Sequence, residues 1–138
     1  MTANLIKVKS VNAHRSNNCV HSLLQQNDDI HILLIQEPWF YTVATMRSDT
    51  NPEGTPQKGP PLNNMWDVHL PCHGPDDTCK VAIYSKKAIT PWIKLHADHP
   101  IANLNTMVLD VMDNTITLRL INVYHEVPNR GHALHHLF

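Results

Sequence analysis

The sequence predicts a mixed α+β fold, and three observations carry the prediction. A strand–helix–strand pattern occupies the stretch from Leu5 to Ile35, a series of short strand candidates follows it, and no repeat or shift in composition marks a domain boundary. The chain of 138 residues therefore reads as one domain, 1–138, with a core of ordinary size.

The first strand is "LIKVKSV" (Leu5 to Val11), which alternates apolar and polar residues and ends at Asn12. "RSNNCVHSLLQQNDD" has helical spacing: Ser16 or Asn17 can cap its start, and Val20, Leu23 and Leu24 fall on one face. Asn27-Asp28-Asp29 breaks the helix before "IHILLIQEPW" (Ile30 to Trp39), a run with no polar alternation and so predicted to be buried on both faces of a sheet. Pro38 cannot donate to a ladder and pushes its predecessor toward extended geometry, which stops the strand about there. Two strands joined through a helix in this way run parallel. Asn12 and Glu37 then lie side by side at the carboxyl ends of neighbouring strands, the edge where ligands and metals collect in α/β-type architectures.

Downstream, "SDTNPEGTPQKGPPLNN" (Ser48 to Asn64) is rich in Pro, Gly and polar residues and predicts an extended loop. Five strand candidates follow: "MWDVHL" (Met65 to Leu70), "CKVAIYS" (Cys79 to Ser85), "WIKLHA" (Trp92 to Ala97), "TMVLDVM" (Thr106 to Met112) and "ITLRLINVY" (Ile116 to Tyr124). Asp113-Asn114 suits a two-residue hairpin turn between the last two, and the tail predicts a helix from Asn129.

Composition sets limits on function. Eleven Lys plus Arg stand against twelve Asp plus Glu, so there is no bulk basic field and any contact with nucleic acid must be local. The eleven histidines make the net charge rise as pH falls through about 6.5. No apolar run reaches the ~18 residues of a membrane helix, and the basic-then-apolar pattern of a signal peptide is not visible. An odd cysteine count, three, points to reduced thiols in an intracellular protein rather than a disulfide framework; nuclear and cytoplasmic placement are not distinguished.

Three features thus lie at strand ends: Asn12, Glu37 and the pair Asn122/Tyr124. A lone carboxylate accompanied by an amide matches what magnesium takes, since that ion keeps several waters and is held by one or two carboxylates plus substrate phosphate. Bound there, it would polarise a phosphoryl oxygen and steady a leaving oxygen during in-line displacement.

With those residues in view, "VKSVNAHRSNNCVHSLLQQNDDIHILLIQEPWF" resembles the opening of the endonuclease/exonuclease/phosphatase superfamily, and most closely the endonuclease domain of non-LTR retrotransposons. In that family an Asn ends the first strand and an "ILLIQEPW"-like element carries the metal glutamate. "VAIYSKK" is similar to a strand that runs into Ser-Lys, and "LINVYHEVPNRG" resembles the Tyr followed by Pro-Asn of apurinic/apyrimidinic endonucleases. The resemblance runs from about Ile6 to the end.

The resemblance implies a two-sheet β-sandwich flanked by helices, a magnesium (or manganese) cofactor and hydrolysis of DNA phosphodiester bonds. By position, Glu37 would bind the metal and Asn12 would orient a catalytic carboxylate or a phosphate oxygen. Tyr124 would hydrogen-bond the scissile phosphate, with Asn122 supporting it from the same strand. Val11 stands where an aromatic often precedes the asparagine. The family's Gly-Asp-Phe-Asn-like and Ser-Asp-His-like elements, which align or activate the nucleophilic water, do not occur. The expectation is a truncated N-terminal portion lacking the C-terminal half, inactive alone. A further expectation is that roughly one sheet is encoded, leaving "KVAIYS" and "LRLINVY" without cover on their inner face.

Other readings compete. "HLPCHGPDDTC" offers His69, Cys72, His73 and Cys79 with Asp76 and Asp77, but the spacing matches no paired zinc framework and reads as a polar loop. Lys86-Lys87 could touch a DNA backbone, although two lysines are more often solvated surface. As a whole, the chain could instead be a non-catalytic gene remnant, or a phosphatase of the same superfamily; the flanks of "LLIQEPW" argue against the latter.

Overall fold

The apolar run at Ile32–Gln36 becomes a central strand because apolar layers meet both of its faces. In the computed structural model, which describes residues 6–26, 29–71, 78–113 and 117–125, β1 (Val8–Asn12) and β2 (Ile32–Gln36) pair in parallel. Val8 stands opposite Ile32 and Asn12 opposite Gln36. The connection is α1 (Asn17–Gln26). Ser16 caps it, its Oγ accepting the Cys19 N–H at 3.1 Å and so satisfying one of the donors a helix start leaves unpaired. Val20 and Leu24, four apart on one face, are buried. At the other end the indole N–H of Trp66, on β5 (Trp66–His69), donates to the Leu24 carbonyl at 3.0 Å.

β2 also pairs antiparallel with β6 (Val81–Lys86), and β6 with β5, giving the order β1-β2-β6-β5. Alternate residues of the two inner strands serve different layers. Leu33, Ile35, Ala82 and Tyr84 pack toward α1, together with Val20, Leu24 and Trp66. Ile32, Leu34, Val81 and Ile83 pack on the opposite face against Met107, Leu109 and Val111. Burial on both sides is the reason β2 shows no polar alternation.

The second face is covered by a separate antiparallel sheet of β7 (Ile93–Leu95), β8 (Thr106–Met112) and β9 (Thr117–Val123). This corrects the expectation that "KVAIYS" lacks an inner cover: the chain encodes strands of both sheets, and Val81 to Ser85 are buried throughout. The same correction holds for β9, whose Leu120, Asn122 and, just beyond it, Tyr124 face the first sheet. β9 is the edge of its sheet, and Leu118, Ile121 and Val123 are exposed.

The predicted loop is also corrected. β3 (Tyr41–Ser48) and β4 (Asn51–Gly59) form a two-stranded hairpin with register shifts between Thr42 and Ala44 and between Met46 and Ser48. Pro52 and Pro56 are tolerated because, among the described residues, β4 has β3 as its one partner and no ladder to feed on its far side. Gly54 takes a left-handed φ of 90°, and a Cβ there would run into the Thr45 methyl.

Met112 pairs with Thr117, so the β8–β9 connection spans residues 113–116 and is longer than the two-residue turn expected. Asn114 within it, the tail helix predicted from Asn129, and Cys72, His73, Asp76 and Asp77 lie outside the described residues. Among the described residues no helix is long and apolar enough to cross a membrane.

Candidate functional site

The carboxyl ends of β1 and β2 are stitched together residue by residue. Beyond the Asn12–Gln36 pair, Ala13 N–H donates to the Gln36 carbonyl at 2.8 Å and Arg15 N–H to the Glu37 carbonyl at 2.7 Å. Glu37 N–H in turn donates to the Lys80 carbonyl at 2.8 Å, just before β6. Both main-chain polar groups of Glu37 are therefore fixed by neighbouring segments. The cost of that placement is conformational: Glu37 has φ 49°, and His14 and Arg15 have φ 51° and 59°, in a region unfavourable for residues with a Cβ.

Asn12 and Glu37 are thus brought to one edge, as the parallel pairing predicts. Asn12 is exposed, and its Oδ1 accepts the His14 N–H at 2.9 Å. This turn-forming bond engages the carbonyl end of the side chain and leaves Nδ2 as the end it can offer a ligand. The Glu37 side chain is 20% exposed, and its Oε2 lies 3.7 Å from Nδ1 of His14, whose own side chain is 82% exposed. His14 and Arg15 give this edge two exposed basic side chains that the strand pattern did not single out.

Asn122 occupies a different setting. It is 1% exposed, at the interface of the two sheets. Its Nδ2 donates to the carbonyls of Ile35 at 3.1 Å and Ala82 at 2.9 Å, and its Oδ1 accepts from Gln36 Nε2 at 2.6 Å. Gln36 Nε2 also reaches Ser10 Oγ at 3.1 Å. The Asn122 amide is committed to strands β2 and β6, one residue from Glu37. Tyr124 follows the end of β9, half-buried against the apolar layer between the sheets, with its N–H donating to the Asn105 carbonyl at 2.8 Å.

The donor set at this edge is one carboxylate with an amide nearby, hard oxygen chemistry of the kind magnesium takes with waters completing its sphere. Among the described residues no group of three or more His, Cys, Asp or Glu could hold a metal ion. An ion held through Glu37 would need waters or a substrate phosphate for its remaining positions.

Two other polar clusters lie elsewhere. Asp110 on β8 accepts from Arg119 on β9 at 2.8 Å and 3.1 Å and contacts His96 Nε2 at 2.7 Å. The Arg119 hydrogen bonds outweigh burial, and with help from His96 hold the Asp110 carboxyl down at about 2. His69 reaches Ser85 Oγ at 2.8 Å, and Thr90 links Ser85 to Asp67; burial lowers the His69 pKa, partly opposed by Asp67. Lys86 lies 4.8 Å from the centre of the Trp66 ring, a cation–π contact rather than a plain solvated lysine. A cavity of about 150 Å³ is lined by Leu95, His96, Ala102, Thr106 and others, and includes none of the four predicted site residues.

The fold has a counterpart among solved structures. The endonuclease domain of TRAS1, a telomere-specific non-LTR retrotransposon, is similar in structure with a TM-score of 0.56 and 16% sequence identity. The likeness covers 88% of this chain and 45% of that one, so the chain spans less than half the length of the domain it matches. No family model matches the chain, and no curated protein matches it.

Proposed function

We propose that this chain carries the metal-binding portion of a magnesium-dependent endonuclease-type phosphodiesterase acting on DNA, and that it does not turn over substrate by itself. The observation that supports this best is the position of Glu37, pinned through its own N–H and carbonyl beside Asn12 at the carboxyl ends of two parallel strands. In this reading Glu37 would hold Mg2+ (or Mn2+), which when bound would supply Lewis-acid polarisation of a phosphoryl oxygen and charge stabilisation of the leaving oxygen. Asn12 donates from Nδ2 to a phosphate oxygen or a second carboxylate. Tyr124 donates its hydroxyl to the phosphate, and Asn122 keeps the ends of β2 and β6 in place. Arg15 draws the phosphate toward the edge. Activation of the attacking water needs a base within hydrogen-bond reach, a role this reading gives to none of these residues.

The test joins metal binding to nicking. Mn2+ binding followed by electron paramagnetic resonance is expected for the 138-residue chain and lost in Glu37→Gln, while supercoiled plasmid stays intact in Mg2+. Equal Mn2+ binding by chain and variant refutes the metal assignment. Robust nicking that Glu37→Ala abolishes refutes the proposed inactivity.

A further inference from the structure

Immediately after Glu37 the chain alternates in a way the metal assignment does not explain. Pro38 and Phe40 are buried, whereas Trp39 is half-buried and Tyr41 is 56% exposed. The buried pair anchors the segment, and the two aromatic rings that alternate with it keep part of their surface in solvent. The Trp39 and Tyr41 rings lie with centroids 5.0 Å apart and planes tilted by 50°. Burying a tryptophan and a tyrosine is among the largest apolar gains open to a small domain, yet this chain buries the proline and phenylalanine and presents the larger rings. Among the described residues the β3–β4 hairpin, which starts at Tyr41, forms a separate two-stranded sheet.

Distance and charge identify what such a pair would hold. At about 3.3 Å per residue, Trp39 lies at most about 7 Å along the chain from Glu37, close enough for both to meet one short stretch of a strand. The exposed cationic side chain of Arg15, whose N–H is bonded to the Glu37 carbonyl, stands on the same edge. Aromatic faces next to a cation are the elements that hold single-stranded nucleic acid: rings stack on bases and cations meet phosphates.

We infer that Trp39 and Tyr41 form a stacking platform for an unpaired nucleobase in the DNA strand whose phosphate lies at Glu37. The inference rests on the phosphodiesterase reading and adds a substrate class to it: a strand with unpaired or splayed bases at the site rather than an undisturbed duplex. Paired bases present their edges in a groove and keep their faces stacked, so the platform discriminates by access to the face.

The experiment is fluorescence anisotropy of labelled dT12 and of a matched duplex, with the full chain in EDTA so that metal plays no part. Expected is tighter binding of dT12 than of duplex, weakened about 5- to 100-fold by Trp39→Ala or Tyr41→Ala and largely restored by Trp39→Phe. Tyr41, more than half exposed, can be replaced without touching the core, and circular dichroism checks that the variants fold. Absence of dT12 binding, equal binding of duplex, or alanine variants that bind like the parent chain each overturn the inference. Mn2+ binding measured on the same variants separates the two proposals, since neither ring supplies a metal donor. A chain that needs its rings for dT12 but binds no Mn2+ refutes the metal assignment alone. A chain that binds Mn2+ through Glu37 but is indifferent to its rings refutes the platform alone.

Discussion

Gln36 and Asn122 share a hydrogen bond of 2.6 Å across the interface of the two sheets, 86 residues apart in sequence. It joins the last residue of β2 to the penultimate residue of β9, and Asn122 extends the link to the Ile35 and Ala82 carbonyls. The buried amide spans the sandwich at the edge that carries Glu37.

Asn122→Leu is expected to destabilise the chain by about 2–4 kcal/mol, because three hydrogen bonds go and the groups they served stay buried. Urea denaturation measures it. A midpoint unchanged from the parent chain would show that the amide contributes little.

Tyr84 is fully buried, and its hydroxyl donates to the Pro61 carbonyl at 2.6 Å. Tyr84→Phe should cost about 1–2 kcal/mol at neutral pH. Burial raises the phenol pKa above its ordinary value of 10, so the folded state favours the protonated form. The contribution is complete below pH 10 and lost as pH rises beyond it. Stability measured across the alkaline range should fall in the parent chain and fall less in Tyr84→Phe.

Asp110 gives the opposite sign at the acid end. Its carboxyl sits at about 2 against an ordinary 3.8, so the ionised form is the one folding favours. The stabilisation is complete above the unfolded value and disappears as pH drops from 3.8 to about 2. Asp110→Asn should lower stability at neutral pH and flatten the acid limb over that interval, as followed by circular dichroism. An acid limb identical to that of the parent would remove Asp110 from the account.

Gly54→Ala should act locally. With φ at 90° and the Thr45 methyl in the way, alanine costs the hairpin about 1–3 kcal/mol. Because β3 and β4 pair with no other strand among the described residues, the expected signature is faster proteolysis between Tyr41 and Gly59 with the melt of the remaining domain little changed. A matching drop in the global melt would mean that the hairpin is coupled to the core.

Much of the fold follows from local chemistry. The serine cap, the Val20/Leu24 face and the unbroken apolar run of β2 are each determined within a few residues, and together they give the parallel pair that juxtaposes Asn12 and Glu37. The β3–β4 hairpin was hidden because Pro52, Gly54 and Pro56 are loop signals, and a ribbon with no second partner needs no apolar periodicity. Membership of a sheet was equally illegible. "TMVLDVM" and "CKVAIYS" look alike as strings, yet one enters the sheet beneath α1 and the other the sheet facing it, a choice made by contacts distant in sequence. For the same reason Asn122 reads as a possible partner of Tyr124 in the string but is bound to Gln36, Ile35 and Ala82 in the fold.

The left-handed backbone at Glu37 sets stability against the proposed metal role at a single codon. Glycine would occupy that turn without steric penalty, and asparagine with little, so a lineage indifferent to the acid has an easy route to shed it. Screening random substitutions at position 37 for thermal tolerance alone should therefore enrich residues that relax the turn, while a screen for metal capture should keep the glutamate.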